Sequence, residues 1–133
     1  MRLNFEVNNE GKFFTVLIFD DYVIKFPKSN TCKDKDMDRI AKFQTELSRK
    51  VNGVLPCTKV DNVLVMPKSP GKRTDEYRGT KLKNHIRHLV SRKKKEIEML
   101  GYKISDLSWK NCFYDEENDQ LYIIDLHKLE KKG

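Results

Sequence analysis

The sequence predicts an α+β fold in which an antiparallel sheet forms first and two helices follow. Two observations predict this class. β-branched and aromatic residues fill strand-like runs between residues 3 and 26, and two later stretches carry apolar residues spaced three or four apart. A chain of 133 residues fits one domain, or two small lobes that share a cleft, and it is long enough to bury a core.

The first 26 residues predict three antiparallel strands. Residues 3–7 alternate apolar and polar side chains, which is typical of a half-buried strand. Residues 13–19 form a continuous β-branched and aromatic run, and residues 22–26 resume it after Asp20-Asp21. A break of two residues between such runs predicts a tight hairpin.

A first amphipathic helix is predicted from about residue 34 to residue 51. Its apolar stripe is formed by residues three or four apart: Met37, Ile40, Phe43, Leu47 and Val51. Asn52-Gly53 follows as a helix stop. Residues 54–60 and the buried run 63–66 then complete a predicted five-stranded sheet.

The second half predicts a loop, a helix and a hairpin. Residues 67–79 hold two prolines and two glycines, which indicate a loop. A second amphipathic helix runs from about residue 80 to residue 100, and a loop covers residues 102–111. The runs 112–114 and 121–124 predict a short hairpin.

Positive charge dominates the chain, with 27 Lys or Arg against 20 Asp or Glu and a formal net charge of +7. Much of it falls on the second helix, at Lys81, Lys83, Arg87, His88 and the run Arg92–Lys95. A solvated helix face is the simpler interpretation, and an anionic partner, either nucleic acid or an acidic protein, is the alternative. Because no aromatic residues alternate with these charges, base stacking is unsupported, so any binding of nucleic acid would be mostly electrostatic and would weaken with salt. A protein is the expected partner, and nucleic acid is the less expected one.

The cysteines and the apolar runs indicate the cellular compartment in which we expect the protein. Cys32, Cys57 and Cys112 are odd in number and widely spaced, which favours free thiols in a reduced cytoplasmic compartment. The longest apolar runs fall far short of the roughly 20 residues of a membrane span, and the N-terminus has no apolar leader, so we expect neither a membrane segment nor a signal peptide.

Three polar residues in the C-terminal third carry the strongest chemical signal. Asp106 is followed by Leu107, Asn111 lies five residues after Asp106, and Asp125 ends the apolar run 121–124. Phosphoryl transfer needs a carboxylate that positions the attacking hydroxyl, together with oxygen ligands that hold Mg²⁺ against the phosphates. One loop supplies the first two side chains, and a neighbouring hairpin strand supplies the third.

This spacing resembles the catalytic loop and the metal-binding Asp of the protein-kinase-like superfamily. The resemblance extends to Tyr22-Val23-Ile24-Lys25, which is similar to the strand of the phosphate-binding lysine. Glu46 lies on the next helix, where the family places the glutamate that pairs with that lysine. A solvated strand lysine is the simpler alternative for Lys25, and a solvated helix charge is the alternative for Glu46.

Two further segments resemble the nucleotide-binding elements of the family. Residues 9–16 align with the glycine-rich loop, of which Gly11 is the one glycine retained. Residues 63–71 resemble the strand and hinge that border the adenine pocket. The resemblance implies a sheet lobe at residues 1–66, a hinge at 67–71 and a helical lobe at 72–133, all within one kinase-like domain.

The resemblance implies a protein that binds ATP and Mg²⁺ and transfers the γ-phosphoryl group to a hydroxyl of a protein Ser or Thr or of a small molecule. The implied catalytic residues are Asp106, Lys25 and Glu46. The implied metal ligands are Asn111 and Asp125. The implied nucleotide-binding residues are Gly11, Val23, Lys25, Met66 and Lys68.

Several departures from the family pattern leave other hypotheses open. Phe14 stands where the family has a glycine, and Ile104-Ser105 replace the His-Arg pair before the catalytic Asp. The chain ends at Gly133, so we expect the activation segment and the substrate-binding helices to be absent. A second hypothesis is therefore a pseudokinase-like module that engages a partner protein without turnover, and a third is a basic nucleic-acid-binding protein of unrelated fold. The oligomeric state is not predicted.

Overall fold

The structure is a computed structural model that describes residues 5–9, 14–28, 34–104, 112–124 and 129–131. Five strands of the first half form one antiparallel sheet. They are β1 (Glu6–Asn8), β2 (Phe14–Ile18), β3 (Tyr22–Pro27), β4 (Thr58–Val60) and β5 (Val63–Pro67). Their order across the sheet is β1-β2-β3-β5-β4, which confirms the predicted five-stranded antiparallel sheet.

The β2–β3 hairpin sets the register of the sheet. The Phe19 N–H donates to the Tyr22 carbonyl at 2.9 Å, so Asp20 and Asp21 form the predicted tight turn. Strand β3 is the central strand, because β2 pairs with one of its edges and β5 with the other. A side chain on β3 is therefore held between two neighbouring strands.

Helix α1 (Asp34–Ser48) packs on one face of this sheet. The core between them is formed by Phe14, Met37, Ile40, Cys57 and Leu64. Two polar contacts fix the helix beside β4: the Thr45 hydroxyl donates to the Cys57 carbonyl at 2.8 Å, and Lys59 Nζ lies 3.1 Å from Asp38 Oδ1. These contacts define which side of α1 meets the sheet.

The prediction extended α1 three residues too far. The helix ends at Ser48, and the N–H groups of Lys50 and Val51 both donate to the Leu47 carbonyl in a closing turn. Val51 continues the apolar spacing of the helix and is buried, at 2% exposed, but it lies beyond the end of the helix. The chain then turns at Gly53, which has φ +94°.

The chain divides into two compact units. Unit 1 comprises Met1–Glu46 and Pro56–Lys68, and it holds the five-stranded sheet. Unit 2 comprises Leu47–Leu55 and Ser69–Gly133. The sequence-based division into a sheet lobe, a hinge and a helical lobe stays a prediction.

Unit 2 combines one long helix with short strands. The helix is α2 (Thr80–Met99), close to the predicted 80–100. One sheet joins β6 (Lys72–Arg73), β8 (Cys112–Asp115) and β9 (Gln120–Ile123), and a second joins β7 (Tyr102–Ile104) with β10 (Leu129–Lys131). A 3₁₀ turn covers Thr74–Glu76. The predicted loops at 67–79 and 102–111 therefore contain short strands, which pairing with distant strands stabilises.

Strands β8 and β9 form the predicted hairpin, with Cys112 opposite Ile123 and Asp115 opposite Gln120. The turn at residues 116–119 ends at Asp119, which has φ +50°. The backbone of this hairpin also limits the residue at position 71. A Cβ added to Gly71, which has φ +83°, would lie 2.1 Å from the Tyr114 carbonyl oxygen.

Within the described residues, no helix is both long enough and apolar enough to cross a membrane.

Candidate functional site

The central strands of unit 1 place three of the predicted site residues on one face of the sheet. Val23 and Lys25 are two residues apart on β3, so their side chains point to the same face. Across the β3–β5 ladder, Val23 is opposite Met66 and Lys25 is opposite Leu64. Leu64 belongs to the core shared with α1, so this is the face that the helix covers.

Lys25 is the buried charged residue of this face. Its relative exposure is 8%, and its ammonium lies 5.8 Å from the centroid of the Phe14 ring, within the range of a cation–π contact. An ammonium is costly to remove from water, so a strand lysine without a function is normally left in solvent. The structure therefore excludes the simpler alternative of a solvated strand lysine.

The side chains beside Lys25 make an apolar floor. Leu64 and Met66 are 1% and 3% exposed, and Val23 is half-buried. Ile18 on β2 is opposite Val23 and continues the row toward β1. Lys25 is therefore flanked along the sheet by apolar side chains, of which Leu64 and Met66 are themselves covered by the protein.

Lys68 lies beyond the end of β5 and is exposed. Its N–H donates to the Asp21 carbonyl at 3.0 Å, which ties the segment after β5 to the β2–β3 turn. Its side chain lines a depression of about 160 Å³ together with Phe5, Glu6, Ile18, Phe19 and Asp20. This volume is below the roughly 300–1,000 Å³ of small-molecule pockets, so the depression by itself does not hold a nucleotide.

Helix α1 carries both the predicted Glu46 and a polar residue that the sequence analysis missed. Gln44 is 1% exposed and stands in the apolar stripe, four residues after Ile40 and three before Leu47. The prediction placed Phe43 in that stripe, but Phe43 is half-buried. Glu46 is also half-buried, and it lies about 200° around the helix from Gln44. The sequence signal for Gln44 was its position, because it is a polar residue that stands at the spacing of the apolar stripe.

Four of the predicted site residues lie outside the described residues: Gly11, Asp106, Asn111 and Asp125. Their roles stay predictions. Within the described part of the chain, no group of three or more His, Cys, Asp or Glu side chains could hold a metal ion.

Unit 2 contains a polar cluster that no sequence motif indicated. Tyr114 OH donates to Asp119 Oδ1 at 2.6 Å, and His85 Nε2 lies 2.7 Å from the same oxygen. These two hydrogen bonds, that from Tyr114 first, lower the pKa of the Asp119 carboxyl. Burial, followed by the hydrogen bond to Asp119, raises the pKa of Tyr114. The cluster joins α2 to the turn of the β8–β9 hairpin, which is a structural role.

The free thiol of Cys112 is not a reactive group. Cys112 is fully buried at the start of β8, and this burial raises its pKa to about 12. The thiolate, not the thiol, is the nucleophile, so the residue packs rather than reacts.

A five-stranded sheet with its helix, followed by a second helix and a hairpin, is the order of elements that the resemblance to the protein-kinase-like superfamily implied. No family model and no curated protein matches the chain. The bifunctional kinase-methyltransferase WbdD matches over 100% of this chain and 35% of its own, with a TM-score of 0.69 and 16% identity. The kinase PK-1 of Cydia pomonella granulovirus matches over 96% of this chain and 52% of its own, with a TM-score of 0.59 and 17% identity.

These matches confirm the predicted protein-kinase-like fold, and at this identity they show the fold alone. The chain spans about a third of the length of WbdD and about half that of PK-1.

Proposed function

We propose that this kinase-like protein binds ATP with Mg²⁺ and transfers the γ-phosphoryl group to a hydroxyl of a protein Ser or Thr or of a small molecule. The observation that carries the proposal is the buried Lys25 on the central strand of a protein-kinase-like sheet, beside Val23 and Met66. The ammonium would bind the phosphates, and the apolar floor would take the base.

Helix α1 is proposed to supply the group that orients Lys25. Glu46 is the carboxylate that the resemblance assigns to this role, because an ion pair holds the ammonium where the phosphates bind. Gln44 is the alternative that burial favours, since its side chain lies on the side of α1 that meets the sheet.

The β8–β9 hairpin is proposed to present the metal ligands. Cys112 and Ile123 are paired at its open end. Asn111 directly precedes Cys112, and Asp125 follows Ile123 by two residues. This connectivity supports a shared Mg²⁺ held by Asn111 and Asp125, with Asp106 orienting the acceptor hydroxyl.

Thermal unfolding of the full chain with and without ATP and MgCl₂ tests the proposal. ATP at about 100 times its dissociation constant should stabilise the protein by about 2.7 kcal/mol. Lys25→Met, which keeps the packing volume, should abolish this stabilisation. The matched control is Lys59→Met on the same face of the sheet, and it should keep the ATP effect although it loses the ion pair with Asp38. A parent without an ATP-dependent shift, or a Lys25→Met variant with an unchanged one, refutes nucleotide binding at this site.

A pseudokinase-like module that engages a protein partner is the second candidate, and Phe14 favours it. The Phe14 ring is 6% exposed and lies against the Lys25 ammonium, at a position where the family has glycine. A buried ring there restricts the approach of phosphates to the backbone.

Radiolabelled phosphate transfer by the parent and by Asp106→Asn separates the two candidates. The enzyme requires Asp106-dependent transfer, whereas an ATP-dependent shift without such transfer indicates the module.

A further inference from the structure

Helix α2 carries most of the net charge of the protein. Its 20 residues include seven Lys or Arg and two Glu, a net charge of +5 in a chain whose formal charge is +7. Both glutamates stand near its end, so the stretch from Thr80 to Lys95 contains no acidic residue. This asymmetry concentrates a positive field on one element.

Part of this charge forms a stripe along the exposed side of α2. Ile86 and Ile97 are fully buried and define the inner side of the helix. Three exposed cations follow one another along the opposite side, at Lys81, Arg92 and Lys95, with His88 between them, and Lys94 is exposed about 100° around the helix from Lys95. From Lys81 to Lys95 the stripe extends over 14 residues, or about 21 Å.

Within the described residues, no ion pair involves Lys81, Arg92, Lys94 or Lys95. The ion pair within α2 joins Glu96 to Lys93, a half-buried residue whose ammonium also donates to the Asn52 carbonyl. As far as the described residues are concerned, these four cations are therefore available to an anion outside the chain.

Helix stability does not explain this arrangement. Lys81 and Lys83 stand in the first turn and a half, at the positive end of the helix dipole, and the Gly79 cap provides no side-chain hydrogen bond. Further along, Arg92 and Lys95 repel each other at i and i+3, while Glu96 and Glu98 follow them at i+4 and i+3. The cost to local stability therefore lies in the first turn and a half, and such a cost is expected where a charge serves binding.

We propose that the exposed stripe of α2 binds the phosphate backbone of double-stranded nucleic acid, independently of the proposed nucleotide site. Protein interfaces rely on aromatic and apolar anchors and are depleted in lysine. The neutral residues of the stripe are Asn84 and Ser91, and the first exposed apolar side chain on this side, Met99, lies one turn beyond Lys95. The absence of aromatic side chains from α2 disfavours single strands, which proteins bind by base stacking.

Fluorescence anisotropy of the full chain with a 20-base-pair duplex, titrated at several salt concentrations, tests the proposal. Four phosphate contacts predict that the logarithm of the association constant falls with the logarithm of salt with a slope of about −3.6. The fourfold variant Lys81→Gln, Arg92→Gln, Lys94→Gln and Lys95→Gln should bind at least about tenfold more weakly and lose most of this slope.

A matched fourfold variant distinguishes the effect of where the cations lie on duplex binding from the effect of net charge. Lys42→Gln, Arg49→Gln, Lys50→Gln and Lys103→Gln changes one Arg and three Lys at exposed positions elsewhere, and should bind within about threefold of the parent. Equal loss in both variants would show that only net charge matters and would overturn the proposal. Displacement of the duplex by polyglutamate, or by phosphatidylserine vesicles, at equal charge concentration would also overturn it, in favour of an acidic protein or a membrane surface. A parent that does not bind the duplex at 50 mM salt refutes it directly.

Discussion

Single residues of this protein show where a backbone or a charge is constrained by its surroundings. Lys25 is a charged residue held at 8% exposure, and Gly71 is a glycine held against another backbone. The position of Lys25 on a strand was predictable from the β-branched and aromatic run around it, and its role stays a prediction. Gly71 was predicted as part of a loop, but its contact with Tyr114 depends on a pairing 43 residues along the chain, which local sequence does not encode.

Gly71→Ala should destabilise unit 2 strongly. The new Cβ would lie 2.1 Å from the Tyr114 carbonyl oxygen, so the strand pairing must shift, and φ +83° adds backbone strain. We expect a loss of at least about 2 kcal/mol in the free energy of unfolding, measured by urea denaturation. Gly79→Ala is the control, because Gly79 has φ +99° and none of the described residues lies within 4 Å of its added Cβ. Equal losses in the two variants would contradict the role of the close contact.

At the scale of elements, helix α1 shows which features of a helix its apolar spacing predicts and which it does not. The spacing of Met37, Ile40 and Leu47 predicted the helix and its buried side correctly. Gln44 was missed because a binary apolar pattern treats a polar residue as exposed, whereas its amide is buried at stripe spacing. The end of α1 was misplaced because Val51 keeps the apolar spacing in the turn that follows.

Two variants of α1 decide which residue orients Lys25. If Glu46 does so, Glu46→Gln removes most of the ATP-dependent rise in Tm, since the carboxylate is lost, whereas Gln44→Met leaves that rise in place. Thermal unfolding with and without ATP and MgCl₂ measures both. The reverse pattern would assign the orienting role to Gln44, and the stability of each variant without nucleotide serves as the control for folding.

The turn of the β8–β9 hairpin should contribute to stability in a pH-dependent way. The pKa of Asp119 is lowered in the folded state by hydrogen bonds from Tyr114 and His85. Its contribution is therefore present above the ordinary carboxyl pKa of about 4 and is lost as the pH falls through the lower folded value. The urea midpoints of the parent and of Asp119→Asn should differ at pH 5 and approach each other as the pH falls below the ordinary carboxyl pKa of about 4. Asn tolerates φ +50°, so the turn is retained. A difference that does not change with pH would contradict a contribution from the Asp119 carboxylate.

For the whole molecule, the sequence predicted the element order because strand and helix periods are strong local signals in this chain. Continuous β-branched and aromatic runs located β2 and β3, and spacings of three and four located α1 and α2. The short strands β6, β7 and β10 escaped prediction because distant partners, rather than their own two or three residues, make them strands. The cluster of His85, Tyr114 and Asp119 joins positions up to 34 residues apart and had no local signal.

The allocation of the chain to its two units limits how the protein can be divided. Unit 1 is interrupted, because Leu47–Leu55 belongs to unit 2 although residues on both sides of it belong to unit 1. That segment is bonded to β9, since the Ile123 N–H donates to the Gly53 carbonyl and the Leu55 N–H donates to the Ile123 carbonyl. No single cut separates the units. A fragment ending at Lys68 would keep Val51 and Val54, which are 2% and 4% exposed in the full chain, without the strand to which their segment is bonded.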